Sequence, residues 1–140
     1  RFSHATEALI WASRDRKARH HYDYKAMKAD NGGKQMKSVW HFDRPRGVEL
    51  EHGPYPTQKP LALLDRVMRA SLPHGGTVVD PFMGSGTVGV VVHALGGSYI
   101  GIDQSEAAVA LARRRICGAP AAPVSLAAVT SEEAARANVV

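Results

Sequence analysis

Thr77-Val78-Val79-Asp80 runs into Pro81-Phe82-Met83 and then into Gly84-Ser85-Gly86-Thr87-Val88-Gly89. A short β-branched run, a glycine-rich turn and an apolar helical pattern follow one another without a break. That order constrains the fold more than any other feature. A strand that feeds a helix through a tight turn needs a crossover to reach the next parallel strand. The helix reads over residues 88–95 and is stopped by Gly96-Gly97. Ser98-Tyr99-Ile100-Gly101-Ile102-Asp103 reads as the second strand, ending like the first in an acid. Ser105 caps a further helix over residues 106–116, with Glu106 in its first turn and Arg113-Arg114-Arg115 in its last, as the helix macrodipole favours. The pattern is β-α-β-α, hence α/β with a doubly wound, mostly parallel sheet.

Upstream, Pro54-Tyr55-Pro56-Thr57-Gln58-Lys59-Pro60 sets an extended approach to a helix. Leu61, Leu64, Met68 and Leu72 recur at helical spacing, and Pro73-His74-Gly75-Gly76 ends the run. Thr57 or Lys59 is expected at the N-cap. Residues 7–13 read as a strand covered on both faces, and residues 38–42 as a second, half-buried one. In that second strand Trp40 is expected in the core rather than on a base-stacking surface. Residues 47–55 read as an exposed loop.

The formal charge of +5 is uneven. Residues 1–47 hold 11 Lys/Arg against 5 Asp/Glu, while the rest of the chain nets −1. Within residues 14–38 the cations interleave with His20, His21, Tyr22 and Tyr24, and apolar residues are sparse. Lysine and arginine contact phosphates, and aromatic rings stack on unpaired bases. On charge alone a solvated basic surface is an equal alternative to one that faces a polyanion. His20 and His21 are adjacent and lack an acidic or thiol partner at ligand spacing, so no metal is expected. With Cys117 the single cysteine, an intramolecular disulfide is impossible and a reducing, cytoplasmic setting is expected. No apolar run approaches the roughly 20 residues a membrane span needs. Arg1 in place of Met suggests a fragment or a processed chain. Residues 118–140, Ala/Pro-rich and then Ser131-Glu132-Glu133-Ala134, are expected to be a peripheral or disordered tail with at most a short helix.

The glycines fit G-x-G-x-x-G, and Asp103 lies where an acid takes a ribose in dinucleotide sites. No Lys-Ser/Thr follows as a phosphate loop of the Walker type requires. By themselves the glycines suit any adenosine ligand, a nicotinamide dinucleotide included. The intervening Asp80 narrows the choice. A carboxylate at a strand tip repels a pyrophosphate but favours an ammonium or sulfonium, which points to S-adenosylmethionine. On this reading Asp80 meets the positive end, Phe82 flanks the adenine and Asp103 takes the ribose.

Asp80-Pro81-Phe82-Met83-Gly84-Ser85-Gly86-Thr87, preceded by Tyr55-Pro56-Thr57-Gln58-Lys59-Pro60 and followed by Tyr99-Ile100-Gly101-Ile102-Asp103, resembles the amino-directed DNA methyltransferases, which act on N6 of adenine or N4 of cytosine. Their pattern is H-P-T-Q-K-P, then D-P-F-x-G-S-G-T, then I-G-x-E. The resemblance covers roughly residues 5–116 and, with the cofactor motif last, is to the C-terminal portion of the β subgroup. It implies a partial Rossmann-like S-adenosylmethionine-dependent methyltransferase fold, incomplete in this chain. It implies cofactor contacts at Thr57, Gln58, Lys59, Asp80, Phe82, Gly84, Ser85, Gly86, Thr87, Asp103 and Ser105. It also implies double-stranded DNA as partner, held through Arg14, Arg16, Lys17, Arg19, Tyr22, Tyr24, Lys25, Lys28, Lys34 and Lys37, and a restriction-modification setting. The chain then divides into a strand plus basic, target-recognition segment (1–50), a cofactor-binding part (51–117) and a tail (118–140). Tyr55, Val88 and Asp103 stand where His, Thr and Glu are usual in the family.

The family's D/S/N-P-P-Y/F/W motif, which accepts hydrogen bonds from the target amino group and stacks on the flipped base, does not occur in the sequence. The catalytic motif is therefore expected upstream of Arg1, in a missing N-terminal half or a second subunit. The chain alone is expected to be inactive, and the intact enzyme to methylate adenine rather than cytosine. A non-catalytic module that binds DNA or a partner is the alternative.

Overall fold

The computed structural model describes residues 6–118. The tail reading for residues 119–140 lies outside them. The centre is a pair of parallel strands, β1 (Thr77–Asp80) and β2 (Ser98–Gly101), in the register Thr77↔Ser98 to Asp80↔Gly101. Helix α3 (Thr87–Ala94) makes the crossover, α4 (Glu106–Cys117) follows β2, and α2 (Leu61–Ser71) precedes β1. This is the expected α/β arrangement, a partial Rossmann-like fold.

Alternation along the strands decides where the helices sit. Val78 and Tyr99 face inward, Tyr99 being 1% exposed. Around them gather Met83, Val92, Val109, Ala112 and Ile116, with Met68, Leu72, Val88 and Val90 packed against that cluster. Val92 and Ile116 are fully buried, each burial contributing about 1.5–3 kcal/mol. The other face of the sheet is open: Val79 and its register partner Ile100 are 59% and 38% exposed.

The first third of the chain departs from expectation. Residues 7–13 and 38–42 form no strand. Neither meets a ladder partner among the described residues, and Ile10 is 92% exposed; an apolar run without a backbone partner has nothing to hold it as a strand. Trp40 is half-buried, but its ring and that of Phe42 lie on the Arg66 guanidinium of α2 rather than in the apolar core. Within the basic segment a helix that the sparse apolar pattern hid, α1 (Tyr24–Asp30), starts at Asp23, whose carboxylate accepts from the Ala26 N–H. Helix α1 packs on α2 with Met27 only 1% exposed, and Asp30 takes both guanidinium nitrogens of Arg69 at 2.9 Å. Residues 47–55 are not simply a loop: Gly47–Leu50 is a 3-10 turn whose Glu49 and Leu50 are half-buried.

Candidate functional site

The glycine turn is folded tightly against the end of β2. Ile102 N–H donates to the Asp80 carbonyl at 2.8 Å, Met83 N–H to the Ile102 carbonyl at 3.0 Å, and Gly86 N–H to the Met83 carbonyl at 2.8 Å. Gly86 has φ +72°, and a Cβ there lies 2.6 Å from the Cβ of Ala112. Only glycine allows both the left-handed backbone and this approach of α4. At Gly84 the ring of Tyr55 is the neighbour, with Cε1 3.0 Å from a Cβ position.

Two carboxylates frame the turn. Asp80 Oδ1 accepts from the Phe82 N–H at 3.2 Å and Oδ2 from the Tyr99 hydroxyl at 3.0 Å. Asp103 Oδ2 accepts from the Gly84 N–H and Oδ1 from the Ser105 N–H, both at 2.9 Å. These bonds fix each carboxylate's orientation and leave lone pairs for further donors.

The hydroxyls of the turn point to its rear. Ser85 and Thr87 are buried, with Ser85 Oγ 3.1 Å from Thr87 Oγ1. Behind them lies Arg115, 7% exposed, whose Nη1 donates to the Ser85 carbonyl at 2.7 Å and to Thr87 Oγ1 at 2.9 Å. Burial lowers the guanidinium pKa and the Glu49 carboxylate opposes that shift. By sequence Arg115 is one of three arginines in the last turn of α4, where the macrodipole favours them. The structure places it on the inner face of α4, in step with Ala108, Leu111 and Ala112. That spacing was the available signal, masked by the two neighbouring arginines.

The opposite wall is the Tyr55–Lys59 segment. Thr57 has φ +62°, a left-handed conformation that a β-branched residue holds at a cost. Neither Thr57 nor Lys59 caps α2. Pro60 occupies the N-cap and has no side chain to bond, so Glu49 reaches over and its Oε2 accepts from the Leu61 N–H at 2.8 Å. Gln58 Nε2 donates to the Glu49 carbonyl at 2.8 Å. Lys59 Nζ is paired with the Glu7 carboxylate at 2.6 Å.

Between these walls lies a cavity of about 690 Å³, within the range of small-molecule sites. It is lined by Thr57, Gln58, Lys59, Asp80, Phe82, Gly84, Ser85, Thr87 and Asp103 among the residues singled out in the sequence. Gly86 and Ser105 are not in its wall; Gly86 meets α4, and Ser105 Oγ accepts from the Ala108 N–H as a cap. Tyr55, Leu64, Pro81, Met83, Val88, Ile102 and Gln104 complete the lining. Phe82 is 87% exposed, an apolar ring presented at the cavity. The geometry suits an adenosine-bearing zwitterion: carboxylates for hydroxyls and a cation, Lys59 for an anion, a bare ring for a base, and a turn close enough for backbone approach.

The basic and aromatic residues of the first third of the chain lie outside the cavity wall. Arg14, Arg16, Lys17, Arg19, Tyr22, Tyr24, Lys25, Lys34 and Lys37 are exposed, and Lys28 is half-buried with Nζ 5.3 Å from the Tyr24 ring centroid. The sequence reading missed Trp11, which it put in a strand. Its ring, 64% exposed, stacks on Tyr22 at 5.6 Å and meets the edge of His20 at 4.8 Å. Cations around exposed aromatic rings make a surface suited to nucleic acid.

A family model described as DNA methylase matches residues 1–114. The chain is 48% identical over 116 residues to the Type II methyltransferase M2.DpnII of Streptococcus pneumoniae, covering 82% of this chain and 43% of that protein. To M2.LlaDCHI of Lactococcus lactis subsp. cremoris it is 44% identical over 116 residues, with the same shares covered. To M2.MboI of Moraxella bovis it is 40% identical over 114 residues, covering 81% of this chain and 42% of that protein. The chain thus spans less than half the length of these relatives. The crystal structure of an M1.HpyAVI–SAM complex is similar to it at a TM-score of 0.53 and 28% identity, over 71% of this chain and 45% of that one.

Proposed function

The chain belongs to the DNA methylase family, and we propose that it is the donor-binding portion of a methyltransferase that moves a methyl group from S-adenosylmethionine to N6 of adenine in double-stranded DNA. The observation that supports this most is the cavity: Thr57, Gln58 and Lys59 from one segment, Asp80 to Thr87 from another and Asp103 from a third share its wall. S-adenosylmethionine supplies an electrophilic methyl group on a positive sulfur. Around it Asp80 faces the positive end, and Lys59 with Gln58 faces the carboxylate. Asp103 accepts from the ribose hydroxyls while its bonds to the Gly84 and Ser105 N–H groups hold it still. Phe82 stacks on the adenine of the donor. The Trp11–Tyr24 surface with its cations contacts the DNA, phosphates through Arg and Lys and splayed bases through the rings.

The base-presenting D/S/N-P-P-Y/F/W motif is absent from the sequence, so the chain supplies the donor side and a further segment presents the acceptor base. The open face of the sheet, at Val79 and Ile100, favours a second form of the same reading. Parallel sheets are ordinarily covered on both faces, and a complementary portion of the fold, on the same or another polypeptide, covers this one.

Calorimetric titration of the chain with S-adenosylmethionine tests the proposal. One site is expected, with a clear loss in Asp80→Ala. Tritiated-methyl transfer to mixed-sequence DNA is expected to show no multiple turnover by the chain alone, and turnover when the complementary portion of a relative is added. Unchanged affinity in Asp80→Ala, or repeated turnover by the chain alone, contradicts the respective assignment.

A further inference from the structure

We infer that Arg115 and Glu49 are positioning residues that hold the two walls of the donor cavity, one from behind the glycine turn and one from beneath the Thr57–Lys59 wall. The inference rests on reading the cavity as the donor site. Neither side chain is in the cavity wall.

Arg115 secures the turn at two atoms with one nitrogen. By drawing the Ser85 carbonyl toward α4 at 2.7 Å, it fixes the plane of the Ser85–Gly86 peptide, since that unit is rigid. By donating to Thr87 Oγ1 at 2.9 Å, it fixes the first residue of α3, and through Thr87 the hydroxyl of Ser85. Charge-assisted bonds in a buried setting are the stronger kind. The turn is also tied through Phe82 N–H on Asp80, Gly84 N–H on Asp103 and Met83 N–H on the Ile102 carbonyl.

Glu49 performs the corresponding task on the other side. Its carboxylate holds the Leu61 N–H, which Pro60 cannot serve, and its carbonyl holds the Gln58 amide. Thr57, held at φ +62°, lies within the stretch thus tied down. The Glu49 charge also acts on the Arg115 guanidinium, which links the two supports.

The test compares Arg115→Met, Arg115→Lys, Glu49→Ala and Glu49→Gln in the full chain by amide hydrogen exchange, thermal melting and titration with S-adenosylmethionine. Arg115→Met is expected to speed exchange over residues 84–88 selectively, leaving β2 and the middle of α4 as protected as before. It is expected to weaken donor binding about tenfold, the value of a lost charged hydrogen bond, and Arg115→Lys to recover part of both. Glu49→Gln keeps an oxygen acceptor for Leu61 and is expected to bind within about threefold of the parent, whereas Glu49→Ala loosens residues 58–61 and binds about tenfold more weakly. Unchanged exchange at the turn in a folded Arg115→Met, or a uniform rise across the whole molecule, overturns the inference. If the parent chain takes up no S-adenosylmethionine, the donor reading fails while the exchange comparison still decides the positioning roles. Should Arg115→Met not fold, Arg115→Lys carries the same comparison.

Discussion

The hydroxyl of Tyr99 donates to Asp80 Oδ2 at 3.0 Å, from a side chain only 1% exposed. The contact joins β2 to the tip of β1 and sets the direction of a carboxylate at the cavity. Burial first, and then the Asp80 charge, pushes the Tyr99 phenol well above its ordinary value of 10.0. Above that pH the unfolded chain ionises and the folded one does not, so stability is intact below pH 10 and falls as pH rises further. Tyr99→Phe is expected to cost about 1–2 kcal/mol at neutral pH and to show a smaller decline between pH 10 and 11. Urea midpoints of both proteins across that range check it; parallel declines would refute the assignment.

Gly86→Ala brings a methyl group to within 2.6 Å of the Ala112 Cβ in a backbone with φ +72°. Strain and overpacking act together, and a loss of about 3 kcal/mol is expected. Chemical denaturation measures it. A loss below 1 kcal/mol means that α4 shifts freely away from the turn.

Lys59 is held by Glu7, in a pair whose side chains are 44% and 71% exposed. Exposed pairs contribute little, yet this one engages the cation proposed for the donor's carboxylate. Glu7→Gln is expected to leave the melting temperature unchanged and to tighten S-adenosylmethionine binding about two- to threefold. Weaker binding in Glu7→Gln counts against Lys59 as the carboxylate partner.

Removing charge at exposed Arg16 and Lys17 (Arg16→Gln, Lys17→Gln) is expected to weaken DNA binding across unrelated sequences. Each change lowers the slope of log affinity against log salt by about one. Trp11→Ala should weaken binding with the slope intact, because stacking releases no counterions. Fluorescence anisotropy at four salt concentrations separates the two effects. A slope unmoved by the charge changes places the DNA elsewhere.

The cavity was legible because its residues are local in sequence and chemically loud: an acid before glycines, a Pro-Thr-Gln-Lys-Pro run, a strand ending in Asp103. The strands and helices from residue 61 onward followed from β-branched runs, periodicity and glycine stops, within a residue or two of the structure, except that β2 ends at Gly101 rather than Asp103. What stayed hidden depends on long-range partners. Residues 7–13 look like a strand by composition, but a strand needs a neighbour to pair with, and pairing is not written in the run itself. Helix α1 has one buried apolar residue, Met27, too few to mark a period. Arg115 and Glu49 lie 66 positions apart in the sequence, and the helical spacing that sets Arg115 in step with Ala108, Leu111 and Ala112 is masked by its exposed neighbours Arg113 and Arg114.

The central claim is that the cavity between Thr57–Lys59 and the Asp80–Thr87 turn holds S-adenosylmethionine. Hydrogen exchange of the chain with and without saturating S-adenosylmethionine, repeated on Asp103→Ala, tests it most directly. Expected is new protection confined to residues 57–60, 80–88 and 102–105, with Asp103→Ala needing at least tenfold more ligand to reach it. Protection elsewhere, none at saturating ligand, or an Asp103→Ala variant that responds like the parent would contradict the account.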